Sequence, residues 1–281
     1  MAKIEPEIEA FARIKVIGVG NSGTNAVSHM VRSNVKGVDF IAIDTDAQKL
    51  HHSPVKKKVH IGKNLTRGLG AGMDPEVGRK AAEESIEEIQ NVIKGADMIF
   101  IAGGAGGGTA SGSCSIVAKA AKDQGILTIA VMTKPFFFEG NQRMQIAEKA
   151  IEEIRKEVDA IIVIHNDRLL GNIDKNTSAT AAFAMCDEVL RHAVEGISDL
   201  ITTPGIINVD FADIRSIMQN AGSALMGIGI SAGENRAVDA AKLAINSPLL
   251  DISIDGAKGV LFANTPALPA QAEPPAASPT A

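Results

Sequence analysis

Short continuous apolar runs recur along the chain at Ile14–Val19, Val38–Ile43, Met98–Ile101, Ile126–Val131 and Ala160–Ile164. Amphipathic stretches at Thr24–Val31, Glu76–Ile93, Ser115–Lys122 and Gln145–Val158 separate several of them. Strands that are apolar throughout, alternating with helices, predict a parallel α/β sheet covered on both faces. Right-handed crossovers place the loops that follow the strands along one edge, where such sheets bind ligands. A long helix is predicted next, with Phe183, Cys186, Leu190, Val194, Ile197 and Ile201 at helical spacing and a break at Thr203-Pro204-Gly205. Beyond it the pattern predicts a short strand (Ile206–Val209), a helix near Phe211, strands at Leu225–Ile230 and Gly259–Phe262, and a helix from Glu234 to about Ile245.

Two loops stand out at that edge. Gly18-Val19-Gly20-Asn21-Ser22-Gly23 follows the first strand, and Gly103-Gly104-Ala105-Gly106-Gly107-Gly108-Thr109 follows the third apolar run. Glycine lets backbone amides approach an anion closely, and a helix N-terminus adds unpaired N–H groups with partial positive charge. Two such loops predict a polyphosphate site. The first also fits Gly-x-Gly-x-x-Gly, with Asp44 at the end of the second strand, so a nicotinamide oxidoreductase is a rival reading. A dinucleotide needs one phosphate cradle, which leaves the second loop surplus; a nucleoside triphosphate uses both. The chain carries no Gly-x-x-x-x-Gly-Lys-[Ser/Thr] P-loop.

Further polar residues surround this edge. Glu139 and Arg143 are near enough in sequence for one to accept from a ribose hydroxyl while the other faces phosphate or pairs with Glu139. Asn166, with Phe183 and Asp187 one helical turn apart, can form a base pocket: Phe183 offers a stacking face, and Asp187 accepts from the N1–H and exocyclic amine of guanine, a pairing adenine does not offer. Asn208, Asp210 and Asp213 form the remaining polar cluster. Asp210 fits a helix N-cap with Asp213 as an acidic third residue, a role compatible with catalysis. The phosphate loops themselves hold no general base.

Composition narrows the function classes. The chain of 281 residues is 45% apolar and carries a formal net charge of -5, which disfavours nucleic acid and anionic membrane as partners. No apolar run reaches membrane-spanning length, and Met1–Pro6 is too polar for a secretory signal. Cys114 and Cys186 read as buried thiols of a cytoplasmic protein. The six histidines and the Lys56–Lys58 run read as surface or loop features, with no metal-ligand spacing. Residues 266–281 hold five of the eleven prolines, so this tail reads as disordered.

Gly103–Gly112 resembles the tubulin signature, and Pro135–Arg143, Ala182-Phe183, Asp187, Asn208–Asp213, Thr45–Gln48 and Gly70–Glu76 are similar to motifs of FtsZ, the tubulin-like bacterial cell-division GTPase family. The resemblance runs from about Ile14 to Asn264. It implies a Rossmann-like tubulin/FtsZ GTPase fold divided into an extension (1–12), a GTP-binding domain (13–175), a central helix (176–204), a partial C-terminal α+β subdomain (205–265) and the tail. It further implies that GTP or GDP is held by Gly20, Asn21, Ser22, Gly23, Thr24 and Asn25, by Gly106, Gly107, Gly108, Thr109 and Ala110, and by Glu139, Arg143, Asn166, Phe183 and Asp187. Asp210 and Asp213, with Asn208, would come from the next subunit to position Mg²⁺ and the attacking water. Mg²⁺ itself would ride mainly on the phosphates. Head-to-tail polymerisation into a cytoplasmic, mid-cell division ring follows, with other division proteins as partners.

Three departures accompany the resemblance. Ala110 stands where the signature has glycine, so a positive φ there would weaken nucleotide binding. Asn21 and Ser22 add side chains to a loop that is usually richer in glycine. The sequence ends with the family's C-terminal subdomain only begun and without its terminal partner-binding peptide. A chain of that kind could join or cap filaments of a full-length homologue without polymerising by itself. The filament-forming GTPase, the non-polymerising GTP-binding module and the oxidoreductase are thus the three function classes the residues leave open.

Overall fold

The computed structural model describes residues 12–170, 178–202, 210–247 and 257–262. Its strands are β1 (Ile14–Val19), β2 (Val38–Asp44), β3 (Lys57–His60), β4 (Met98–Gly104), β5 (Leu127–Lys134), β6 (Ala160–His165) and β7 (Gly222–Ala224). The helices are α1 (Gly20–Arg32), α2 (Ala47–His52), α3 (Lys63–Thr66), α4 (Pro75–Glu84), α5 (Ile86–Ile93), α6 (Gly108–Asp123), α7 (Asn141–Arg155), α8 (Asn166–Leu170), α9 (Ala179–Thr202), α10 (Phe211–Met218) and α11 (Arg236–Ile245).

The strands form one sheet in the order β3-β2-β1-β4-β5-β6-β7, every neighbouring pair parallel. The apolar runs are continuous because alternate residues enter different cores. Ile17, Val19, Ile41, Ile43, Ile99 and Ile101 face α4 to α7, whereas Val16, Ala42, Met98 and Phe100 face α1, α9 and α10. Strand order reverses between β1 and β4, and the two glycine-rich loops follow these two strands. That reversal opens a crevice at the C-terminal edge, as in other open parallel sheets.

Several sequence expectations need correction. The Lys56–Lys58 run contributes to β3, an edge strand with Val59 buried inward and Lys57 paired to Asp39 at 2.7 Å; lysine at an edge discourages further strand addition. Glu76–Ile93 is two helices, broken at Ser85, whose hydroxyl accepts from the Gly62 amide. Leu225–Ile230 forms no strand: the ladder with β6 ends at Ala224, and Gly229 packs so tightly on α11 that a Cβ would lie 1.9 Å from the Ala240 carbonyl. Residues 259–262 likewise join no ladder among the described residues, with Val260 and Phe262 exposed. Ile206–Val209, the N-terminal extension up to residue 11 and the proline-rich tail lie outside the described residues.

Candidate functional site

The β1–α1 turn is closed by Gly20, at φ +69, the left-handed region that glycine adopts without penalty. Val19, at the helix N-cap position, supplies no side-chain acceptor, and the first turn holds no acidic residue. The amides of Gly20, Asn21, Ser22 and Gly23 therefore begin α1 without intrahelical partners. α6 opens in the same way: Gly107 caps it without a side-chain bond, and no acid lies in its first turn. The two helix starts meet. A Cβ on Gly20 would lie 3.1 Å from the Ala110 amide nitrogen, and one on Gly104 would lie 2.8 Å from Ser22 Cβ. Two partial positive ends thus converge on one spot, a cradle for polyphosphate.

Ala110 is the third residue of α6 and is absent from the residues with positive φ. Alanine at this position carries no strain, and its methyl fills the contact with Gly20. Glycine is required two residues later: a Cβ on Gly112 would lie 1.9 Å from the Pro75 carbonyl, where α4 crosses α6. Asp74 caps α4 through the Glu76 amide and, with Ala71, brings the Gly70–Asp74 loop against Gly108. The cradle is therefore walled on one side by a loop that the sequence marks only as a motif.

A second group lies at the end of β2, where Asp44 closes the strand. Thr109 Oγ1 and Thr45 Oγ1 are 2.8 Å apart, and the Thr45 carbonyl accepts from Thr66 and faces His60 Nε2 at 3.0 Å. Asp44 is buried; its Oδ1 accepts from the Thr45 and Asp46 amides, while Oδ2 has no partner. Burial raises its carboxyl above the ordinary value despite those amide bonds. A buried carboxylate closing a strand end was the available signal, and its bonds point to holding a loop more than to a ribose.

Glu139 and Arg143 form an ion pair at 2.7 Å, with Glu139 also accepting from the Phe136 amide at 3.0 Å. They adjoin the cradle, since a Cβ on Gly106 (φ +100) would lie 2.8 Å from the Arg143 carbonyl oxygen. Across the edge, Asp167 accepts from the Phe137 amide and fixes the start of α8 to the Phe136–Glu139 turn. Asn166, buried beside it, leaves Oδ1 without a partner, as does Thr24 Oγ1 on α1. Unsatisfied buried polar atoms cost about 1–3 kcal/mol each, so a ligand that pairs them gains correspondingly.

Phe183 is 44% exposed, which rules out a core role, and its ring meets Phe136 edge-on at 5.2 Å. Thr24, Asn25 and Asp187 line one cleft of about 570 Å³, between α1, α2 and α9, together with His29, Arg32, Lys49 and His52. Burial raises the Asp187 carboxyl to about 6, with His29 pulling the other way. Among the described residues, no group of three His, Cys, Asp or Glu side chains forms a metal cluster. Both cysteines are buried and free, with burial pushing each thiol up to about 12.

The remaining candidates are elsewhere. Asp210 caps α10 through the Ala212 amide, and Asp213 stands exposed in its first turn. This helix lies at the opposite edge of the sheet: Arg215 donates to the carbonyl of Gly125, just before β5, and the Gly222 amide donates to Asp159, just before β6. Strands of six to eight residues separate the two edges by roughly 20–26 Å. α9, with 24 residues, runs between them: Asp187 lines the cleft, and Thr202 meets Gly37 before β2. Asn208 lies outside the described residues.

Comparisons with known proteins agree with this geometry. The Tubulin/FtsZ family, GTPase domain, matches residues 13–174, and the FtsZ family, C-terminal domain, matches 222–268. An FtsZ dimer from M. jannaschii superposes with TM-score 0.85 at 46% identity, covering 88% of this chain and 72% of that one. CetZ2 from Haloferax volcanii, solved as a GTPγS-bound protofilament, gives 0.71 at 23% identity, covering 83% and 71%. CetZ from Methanosaeta thermophila also gives 0.71, at 19% identity over 83% and 68%. The two CetZ matches share the fold. The oxidoreductase reading is set aside by these findings. With a family match over more than half its length and glycine loops at the strand-order reversal, the chain belongs to the tubulin/FtsZ family of GTPases.

Proposed function

We propose that this chain binds GTP with Mg²⁺ across the paired starts of α1 and α6, and that Asp210 and Asp213 hydrolyse the nucleotide of an adjacent copy. One observation carries the reading: the cradle and the two carboxylates lie at opposite edges of the same sheet, too far apart to act on one phosphate. A second copy stacked on the cradle would bring them together. Such a contact joins different faces of each subunit, so it propagates as a filament. The M. jannaschii relative was solved as a dimer, which supports self-association. A cytoplasmic division filament at mid-cell is the corresponding cellular role; among the described residues, no helix is long and apolar enough to cross a membrane.

In this scheme the first-turn amides of α1 and the Gly106–Ala110 segment hold the phosphates. Phe183 stacks on the base, and Asp187 accepts from guanine N1–H and its amine, with Asn166 pairing through its unsatisfied Oδ1. Glu139, oriented by Arg143, accepts from the ribose. The incoming Asp213, with Asp210, orients water and takes its proton as the water oxygen bonds to the γ-phosphorus and the β–γ bridging bond breaks, releasing GDP and phosphate. Mg²⁺ fits as a partner of the phosphates: the nearby buried Asp44 Oδ2, which has no partner, and the Thr109 hydroxyl are oxygen donors suited to a hard cation. Bound there, it would neutralise phosphate charge.

Competition titration with labelled GTP tests specificity: GTP should displace the label far better than ATP or NAD. Asp187→Ala is expected to reduce the GTP-to-ATP preference by about tenfold or more, with phosphate affinity little changed. Equal affinity for ATP and GTP in the unaltered chain would overturn the base pocket.

Affinity should also depend on acidity. Asp187 must be ionised to accept two guanine donors, and its carboxyl in the unliganded chain titrates at about 6. GTP binding should weaken as pH falls through 6, approaching about tenfold per unit below it. Stability of the unliganded chain should move the other way, because the folded state binds this proton more tightly than the unfolded chain does. Its Asp187 contribution falls as pH rises from about 4 to 6. Calorimetric titration at pH 5, 6 and 7, with Asp187→Asn as reference, checks both signs.

A further inference from the structure

We propose that Arg215 is a positioning residue for hydrolysis, fixing the start of α10 by its bond to the Gly125 carbonyl at the far end of the helix that begins in the phosphate cradle. The inference rests on the reading that Asp210 and Asp213 act on a neighbour's nucleotide.

α10 has only eight residues. Ile214 and Met218 sink into the core and Phe211 packs partly buried against it, which sets the depth of the helix by apolar contacts that carry no directional bond. Arg215 supplies the directional contact. Its Nη2 donates to the Gly125 oxygen at 2.9 Å, and its guanidinium lies 5.8 Å from the Phe211 ring centroid in its own first turn. Asp97, at the start of β4, adds an opposite charge. Burial alone would raise its carboxyl, but bonds from the Arg13 amide and guanidinium and the charges of Arg13 and Arg215 hold it below the ordinary value.

The direction of this anchor matters. At about 100° per residue, Arg215 and Asp213 stand roughly 200° apart around α10, so clamping one against the sheet edge points the other outward. Gly125 sits in the turn that ends α6, with φ +70 and its amide bonded to Lys122. α6 itself is 16 residues long and buried along most of its length, so it is a stiff strut of about 24 Å. Its first turn is the cradle. The carboxylates a subunit presents are thereby referenced to the same rigid element that holds its own nucleotide. A misplacement of about 1 Å in such a group can cost on the order of a hundredfold in rate.

The test compares Arg215→Leu, Arg215→Lys and the unaltered chain in steady-state GTP hydrolysis, with nucleotide affinity and thermal midpoint measured alongside. Arg215→Leu is expected to lower kcat by about 10- to 100-fold with KM for GTP within about twofold, because the cradle is untouched. Arg215→Lys, which keeps the charge and one donor, should recover an intermediate rate. Mixing Arg215→Leu with Gly107→Trp, whose cradle is blocked but whose α10 is intact, should restore turnover. A kcat within twofold of the unaltered chain, a loss confined to KM, or no restoration on mixing would each overturn the positioning role. Should Arg215→Leu not fold, Asp97→Asn carries the test, with kcat expected to drop about threefold at constant KM and an unchanged kcat overturning the proposal. Asp210→Ala/Asp213→Ala separates the two readings. Full activity in that variant refutes the shared site itself, whereas an inactive double variant beside a fully active Arg215→Leu refutes only the anchor.

Discussion

The chain carrying both Asp210→Ala and Asp213→Ala is expected to bind GTP with unchanged affinity and to lose hydrolysis by about 10²- to 10⁴-fold, the range that positioned acid–base groups contribute. Affinity is spared because neither residue approaches the cradle of its own chain. The more discriminating experiment mixes this variant with Gly107→Trp. A Cβ on Gly107 would meet nothing within 4 Å, and its φ is -91, so a large side chain enters the cradle without disturbing the protein around it. Each variant alone should be inactive. In the mixture, the intact α10 of the Gly107→Trp chain meets the intact cradle of the other, and partial activity should appear. No recovery at any ratio, with association verified by sedimentation, would show that the site is not shared. Loss of the Asp210 cap accounts for about 1 kcal/mol of stability, too little to unfold the chain.

Gly112→Val is expected to be the most damaging single substitution for the fold. The new Cβ would lie 1.9 Å from the Pro75 carbonyl and 2.5 Å from the Arg79 amide nitrogen, both backbone atoms that no rotamer change can move. α4 must shift away from α6. Overpacking of this kind costs about 1–3 kcal/mol and more where backbone must move. The consequence is not confined to stability. α4 carries the Gly70–Asp74 loop that walls the cradle, so GTP affinity should fall together with the urea midpoint. Ala110→Gly, two residues earlier in the same signature, is the contrast. Its backbone is helical, and the expected cost is only about 1 kcal/mol of helix propensity. A stable Gly112→Val with normal GTP affinity would refute the close crossing of the two helices.

Much of this arrangement was legible without coordinates because it rests on local rules. Uniformly apolar runs such as Met98–Ile101 require burial on both faces, and that requirement alone dictates a parallel sheet with helices on each side. The loops after β1 and β4 were recognisable because helix starts free of acidic residues, supplied with glycine, serve anions wherever they occur. Asp210 was readable as a cap from its spacing to Asp213. Local rules failed where a partner decided the outcome. Lys57-Lys58-Val59 has the composition of a solvated loop and becomes a strand because β2 offers a free edge. Leu225–Ile230 has the composition of a strand and is not one, because α11 occupies the approach to Gly229.

The family pattern also marked Ala110 as a defect, yet only backbone angles show that its position is helical and that the demanding glycine is Gly112. Sequence likewise places Glu139 tens of residues from the Phe183 and Asp187 pair, and nothing local says that they share an edge with Asn25. Position along a chain fixes which groups can form helices and strands, because those depend on neighbours a few residues away. Which groups face one ligand depends on strand order, and strand order is settled by long-range pairing. The separation of the cradle from Asp210 and Asp213 is of that second kind: the residues were visible in the sequence, but their standing at opposite ends of one rigid sheet was decided by the tertiary structure.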